Sequence, residues 1–284
     1  MRINNINWKK EPLVIATSHK KERIIAPLFA EKLGMSFSVC EDFNSDEFGT
    51  FSGEVERKLN AVDTAKAKCE HAIEISNCQI AISSEGSFGP HPFIGFVPVN
   101  EELVFFLDRK NGIEAHYREI SLKTNYGFIE TKSWDDLKAF AEKSLFPSHA
   151  LIVSSSDLGD RFFVKGIQSW ELLRTTFDDL NNHGSAVKIQ TDMRAMFNPT
   201  RMQVIENATR GLLQQLCNLC ESCGYPNFRV QEVKRGLPCG RCNFPTRSIL
   251  SHVLKCDDCK VTKEVYYPNH KQSENPQYCD YCNP

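Results

Sequence analysis

The chain has 284 residues, 41% of them apolar and 25% charged, with a formal net charge of −2. That length and apolar content suffice to bury a core in one large domain or two smaller ones. The near-neutral balance excludes a global basic field of the kind that binds nucleic acid or anionic membranes, and no apolar run reaches the roughly 20 residues that span a bilayer.

In chain order, "EPLVIATSHKKERIIAPLFAEKLGM" predicts a strand, a polar turn and a helix. Val14, Ile15 and Ala16 are the apolar run, Ile25, Leu28, Phe29 and Leu33 recur at helical spacing, and Gly34 suits the C-cap. A strand at "SFSVC", a polar loop and a helix near "DTAKAKCEHAIEI" follow, the helix with Ala65, Cys69, Ala72 and Ile73 on one face. "QIAIS" reads as a buried strand that delivers "SSEGSFGPHP", residues 83–92, as a loop. "FIGFVPV", "LVFFLD" and "IEAHYREISL" are strand-like, and their hairpin-like succession makes the sheet mixed rather than purely parallel. A helix near "WDDLKAFAEKS", a strand at "HALIVSS", a helix near "QSWELLRTTFDDL" and a strand at "AVKIQT" complete an α/β layer architecture. The clearest helix is "FNPTRMQVIENATRGLLQQLCNLC", with Asn198 at the N-cap, Pro199 at the first helical position and a stripe from Met202 through Leu216. Residues 1–216 are thus expected to form an α/β domain ending in a long helix, and residues 217–284 a cysteine-rich module.

Nine of the twelve cysteines fall in that module, and eight of them form four C-x-x-C pairs: Cys220/Cys223, Cys239/Cys242, Cys256/Cys259 and Cys279/Cys282. The opening "MRINNINWKKEPLVIATS" lacks the apolar core and cleavage site of a secretory signal, so a cytoplasmic setting is expected. In a reducing compartment such pairs bind metal rather than form disulfides. Two C-x-x-C turns complete one tetrahedral site with four thiolates, so two structural Zn2+ ions are expected. The second and third pairs resemble a zinc ribbon closing on itself, which leaves the first and fourth to share the other ion; pairing of first with third and second with fourth is the alternative. Eight cysteines for two metals leave no open coordination position, which excludes a catalytic zinc. Cys217 is expected to pack on the apolar side of the helix end, as Cys40, Cys69 and Cys78 are in the first region. The module carries nine Lys/Arg against seven Asp/Glu, and two four-thiolate zinc sites at −2 each bring it to about −2, which argues against nucleic acid as its partner.

Candidate chemistry in the first region lies in four places. Thr17, Ser18, His19, Lys20 and Lys21 occupy the strand-to-helix turn, where free N–H groups, hydroxyls and lysines make a phosphate cradle. "FGTFSGEVERK" offers Glu54, and "SSEGSFGPHP" offers Ser84, Glu85, Gly86 and His91, with Glu85 and His91 expected to line a cleft. Asp192 and Arg194 in "TDMRAMFNPTR" alternate on an extended strand and so share a face, free for a cleft or paired with each other. Carboxylates beside a basic, glycine-lined anion site are the usual set for metal-assisted phosphoryl chemistry.

The blocks "VIATSHKKERIIAPL", "FGTFSGEVER", "SSEGSFGPHP", "TDMRAMFNPTRM", "LPCGRCNFPT" and "YCDYCNP" resemble those of an uncharacterised bacterial family, a domain of unknown function with a cysteine-rich C-terminus. Residues 12–100 are also similar to the inosine-triphosphate pyrophosphatase/Maf-like superfamily. That resemblance implies a mixed sheet flanked by helices and a nucleotide or phosphorylated small molecule as substrate. Thr17, His19, Lys20 and Lys21 would hold phosphates, Lys68 would match the helix lysine, and Glu85 the loop acid that serves Mg2+ or water. His19 stands where those enzymes carry asparagine, and Ser84 where they carry the first of two acids. The function expected is metal-assisted hydrolysis, with Glu85, Asp192 and Arg194 as catalytic residues. The alternatives are a zinc-ribbon protein that docks a protein or nucleic-acid partner without catalysis, and a nucleotide sensor.

Overall fold

The computed structural model describes residues 6–17, 19–39, 59–91, 94–155, 163–182 and 186–284. These form two compact units, one spanning Trp8–Leu212 and the other containing Leu213–Pro284.

In the first unit a five-stranded mixed sheet has the order β2-β1-β3-β4-β5. Its strands are β1 (Pro12–Ala16), β2 (Ser36–Val39), β3 (Ile80–Pro90), β4 (Pro98–Asp108) and β5 (Ile113–Ser121). β1 pairs in parallel with β2 and β3, while β3, β4 and β5 form an antiparallel meander. Helix α1 (Glu22–Leu33) ends as its sequence predicts, with Gly34 left-handed at φ 65° and its N–H on Ala30 O. Helix α2 (Ala61–Ile75) starts at Asn60, whose side chain accepts from Val62 N and Asp63 N. The two helices cover opposite faces. Phe29 of α1 stacks on Phe106 of β4, whereas Ala65, Cys69, Ala72 and Ile73 of α2 pack with Leu103, Phe105 and Leu107 of the same strand. Alternation along β4 therefore supplies one face to each helix.

Two findings differ from the sequence reading. The stretch 83–90 is not a loop: β3 runs through it to Pro90, paired residue for residue with β4 as far as Pro90↔Pro98. Its small and proline residues have the look of turn formers, but one partner strand long enough to match them holds them extended. The turn lies beyond, where His91 N bonds Val97 O and Val97 N bonds Ile94 O. Second, the elements after residue 127 build a separate antiparallel sheet of order β6-β9-β7-β8. It comprises β6 (Phe128–Thr131), β7 (Leu151–Ser155), β8 (Phe163–Ile167) and β9 (Val187–Thr191), with α3 (Trp134–Lys143) and α4 (Trp170–Asn182). Leu137, Ala141, Leu173, Phe177 and Leu180 of the helices share one core with Leu151, Val153, Val187 and Ile189. The short strands β6 and β8 carry too little alternation to be read from sequence.

Helix α5 (Pro199–Cys217) begins at Asn198, whose Oδ1 accepts from Arg201 N and whose carbonyl accepts from Met202 N. In the second unit, β10 (Arg229–Arg235), β11 (Ile249–Lys255) and β12 (Thr262–Tyr266) form an antiparallel sheet in that order. Among the described residues no helix is long and apolar enough to cross a membrane.

Candidate anion site and metal centres

The order β2-β1-β3 means that the chain leaves β1 to one side through α1 and returns to the other side through α2. A crevice forms outside the carboxyl ends of parallel strands at such a switch point, and ligands favour it. Here β1 stops at Ala16, opposite Ser83, so β3 continues past the end of its neighbour with Ser84, Glu85 and Gly86.

The turn after β1 fills that gap. Lys21 Nζ donates to Ser84 Oγ at 3.0 Å and to Ser84 O at 3.3 Å. On the α2 side Lys68 Nζ lies 2.6 Å from Glu85 Oε1. On the α1 side Arg201 of α5 donates from Nε to Glu102 Oε1 at 2.7 Å, stacks its guanidinium over Phe88 and reaches Met193 O. None of Lys21, Lys68, Ser84, Glu85, Glu102 or Arg201 is more than 6% exposed. Among the described residues, three buried cations and two buried carboxylates thus lie near the end of β1, Lys68 and Glu85 on one side of the sheet and Lys21, Arg201 and Glu102 on the other. Burial pulls the Lys21 ammonium down to about 8, the Arg201 charge pushes the same way, and Glu102 and Glu85 oppose them. Thr17 is buried, and its Oγ1 has no hydrogen-bond partner among the described residues.

Gly86 is needed here for space. A Cβ on it would lie within 2.6 Å of Glu102 Oε1 and against the Arg201 guanidinium. His19 and Lys20 are both left-handed, at φ 65° and 62°, and each such non-glycine residue costs on the order of 1 kcal/mol. α1 has no side-chain N-cap; carbonyls of the preceding turn take its early N–H groups instead, Lys20 O accepting from Arg23 N and Lys21 O from Ile24 N and Ile25 N.

The structure therefore brings together Thr17, Lys21, Lys68, Ser84, Glu85 and Gly86 of the expected set. His91 sits apart at the hairpin turn, about 20 Å of extended chain beyond Glu85, where its Nδ1 accepts from Ile94 N. It does not share a cleft with Glu85. Asp192 and Arg194 do share a face, but they pair with each other: Arg194 Nε and a terminal nitrogen bond both carboxylate oxygens, and the guanidinium stacks on Phe197. They brace the turn that presents Met193 O to Arg201. His19 and Lys20 lie in the turn itself, while Ser18 and Glu54 fall outside the described residues. Glu102 and Arg201 escape the sequence reading. Their signal is an arginine on the same helical face as Ile205, Ala208 and Leu212, and a glutamate leading an apolar strand run.

In the second unit, two groups of four thiols each lie within 4.8 Å of one another: Cys220, Cys223, Cys256 and Cys259, and Cys239, Cys242, Cys279 and Cys282. Sulfurs of adjacent knuckles are 3.6–3.9 Å apart. Two thiolates on one tetrahedral ion at about 2.3 Å lie about 3.8 Å apart, so each group fits a metal, whereas a disulfide needs about 2.05 Å. The leading expectation of second with third and first with fourth is corrected: first pairs with third and second with fourth. The antiparallel sheet requires it. β10 carries the chain from the first knuckle to the far end and the second knuckle, β11 returns it to the third, and β12 sends it back to the fourth. A shared knuckle geometry recurs, with a left-handed fifth residue at Gly224 (φ 72°), Asn243 (φ 58°) and Lys260 (φ 62°).

The lone thiols differ. Cys69 donates to Phe105 O, and burial pushes it up to about 12, as fits an inert packing group. Cys78 is also buried, whereas Cys217 is exposed rather than packed; Cys40 lies outside the described residues.

No curated protein gives a significant match to the sequence. The profile that does match covers residues 68–284, a span holding Lys68, Glu85, Glu102, Arg201 and all eight knuckle cysteines, and on that match the chain belongs to the family described as Domain of unknown function (DUF6671).

Proposed function

We propose that the Trp8–Leu212 unit binds a nucleotide or other phosphorylated small molecule in the β1/β3 crevice and hydrolyses it with metal assistance. In this reading its fold is of the inosine-triphosphate pyrophosphatase/Maf-like kind, and the two four-cysteine groups hold structural Zn2+. The observation that supports the proposal is the buried Lys21 ammonium at the end of β1, which among the described residues bonds Ser84 rather than a carboxylate. An uncompensated buried charge is costly, and an anionic ligand relieves it.

Lys21 and the Thr17 hydroxyl would take phosphate oxygens. Among the described residues Glu85 would serve a Mg2+ ion carried in by the phosphates, since Glu102 is bonded to Arg201. Mg2+ usually arrives with most of its ligands from phosphate and water and needs only one or two protein carboxylates. When bound it would withdraw charge from the scissile phosphate.

A second reading, a sensor that binds without turnover, is favoured by the Lys68–Glu85 pair, which already neutralises that carboxylate. Purified protein with Mg2+, incubated with standard and damaged nucleoside triphosphates, is expected to release phosphate or pyrophosphate, and Glu85→Gln to release far less. No turnover, or equal turnover by both proteins, rejects the hydrolase; binding without turnover establishes the sensor. Native mass spectrometry should show two zinc ions per chain, and a metal-free protein with linked cysteines refutes the zinc sites.

A further inference from the structure

The Cys-rich unit has a groove of about 680 Å³, lined by the ends of β10 and β11 and by residues 269–283. Its walls hold the cations Arg235, Arg247 and Lys271, the ring of Tyr278 and the amides of Asn269 and Gln277. Among the described residues those two side-chain amides have no hydrogen-bond partner. Arg235 donates one N–H to Arg247 O, and neither it nor Arg241 pairs with a carboxylate among the described residues. The acids of the groove are engaged. Glu274 is buried and accepts from Ser248 Oγ at 2.7 Å and Asn275 N at 2.8 Å, and Asp280 meets Arg247 at 3.0 Å.

Exposed aromatic rings gather around the same cysteine group. Tyr278 is 62% exposed, and Phe244 and Tyr281, 49% and 72% exposed, stack with ring centroids 5.9 Å apart. Phe244 follows the second knuckle and Tyr281 lies inside the fourth, whose Asp280 and Asn283 line the groove. The group formed by Cys239, Cys242, Cys279 and Cys282 holds these two knuckles together. Clustered exposed apolar groups mark interaction sites, and rings this open can stack on a further flat group.

We propose that this face binds single-stranded nucleic acid. Bases stack on Tyr278 and on the Phe244–Tyr281 pair, phosphates meet Arg235, Arg241 and Lys271, and Asn269 and Gln277 bond base edges. On this half of the unit Arg235, Arg241, Arg247 and Lys271 stand against Glu274 and Asp280, and a Zn2+ ion on four thiolates would cancel the surplus. That balance disfavours capture of a duplex, which binds by charge and hides its base faces. A splayed strand differs, because a base–ring stack contributes without regard to net charge. The near-neutral sum over the module therefore bears on charge-driven binding and leaves stacking untouched. An acidic peptide would answer the cations but offers nothing flat to three open rings.

Fluorescence anisotropy on the full chain would use labelled rA, rU, dA and dT strands about 10 nucleotides long, a duplex of the same length and a glutamate homopeptide. At least one single strand is expected to bind about tenfold or more tightly than duplex or peptide. Its log affinity should fall against log salt with a slope no steeper than about −3, since four cations meet at most four phosphates. Tyr278→Ala and Tyr281→Ala should each weaken it about fivefold or more, and Tyr281→Trp should retain it. Arg241→Gln, which leaves every ring in place, should make the slope shallower by about 0.7. Lys21→Met, in the crevice of the other unit, should bind the strand as the wild type does. No single-strand binding at about 100 µM, a duplex bound as tightly, or an affinity that survives both alanine substitutions overturns the proposal. So does an unchanged slope in Arg241→Gln. A glutamate peptide bound more tightly than any strand assigns the face to an acidic partner, and loss of the strand in Lys21→Met assigns it to the crevice; either also overturns it.

Discussion

Arg201 is fully enclosed, and its charge is answered by Glu102 across 2.7 Å. A buried pair of this kind contributes little net stability, but removing one partner strands the other charge. Arg201→Met should therefore cost about 3–5 kcal/mol, and adding Glu102→Leu should restore much of it; urea unfolding of the single and double variants measures both. Lys21 makes a second prediction. Its folded value of about 8 leaves the amine charged at pH 7 and neutral above pH 8, so an anion held by it is released as pH rises. Phosphate affinity should fall by about tenfold by pH 9, because roughly a tenth of such amines stay charged one unit above their pKa. Lys21→Met should bind weakly with no such fall. A lysine at the ordinary value of 10.5 would hold its anion throughout this range. Lys21 is legible in the sequence because the "TSHKK" turn announces itself, whereas Arg201 and Glu102 acquire meaning only through each other, 99 residues apart.

Helix α5 shows how much a single element takes from its own sequence and how much from elsewhere. Asn198 and Pro199 mark its start locally, and Asn198 caps it. Thr200 N–H, however, is taken by Nε2 of His149, a buried residue 51 positions earlier. That bond requires a neutral ring protonated on Nδ1, and burial holds His149 below its ordinary value of 6.5. The unfolded chain then binds the proton more readily, so stability rises with pH and the contribution is lost as pH falls below about 6.5. The unfolding midpoint should drop from pH 7 to pH 5 by more in the wild type than in His149→Gln, which lacks the titrating ring. Strand β3 teaches the converse. "SSEGSFGP" has the composition of a loop, yet eleven consecutive pairings with β4 keep it extended. Local propensity is overridden by a partner strand.

At the scale of the whole molecule, the two units draw on different sources of order. Trp8–Leu212 buries apolar faces of two sheets against helices, whereas the Cys-rich unit has a small core of Phe228 and Leu254 around one cysteine group, so metal ions held by its thiols would supply much of its order. The crossed pairing makes a prediction that the alternative does not share. Cys220→Ser with Cys256→Ser damages one site and should leave one metal per chain in native mass spectrometry, while Cys220→Ser with Cys239→Ser should lose both. With first-to-fourth pairing the former pair would lose both as well. Removal of metal by a chelator should unfold this unit, since such binding energy is folding energy.

By itself the sequence determined the α/β class, most helix and strand positions, the eight thiols that form the two four-cysteine groups and the basic turn after β1. Each of these is written in spacing over a few residues: period two or near four, a cap, or two cysteines three apart. Only the tertiary structure decided that residues 128–191 form a separate sheet, that knuckles pair alternately, and that Lys21 and Arg201 meet Ser84 and Glu102 on the α1 side of the first sheet while Lys68 meets Glu85 on the α2 side. Those features depend on strand order and direction, which join residues far apart in the chain and leave no periodicity along it.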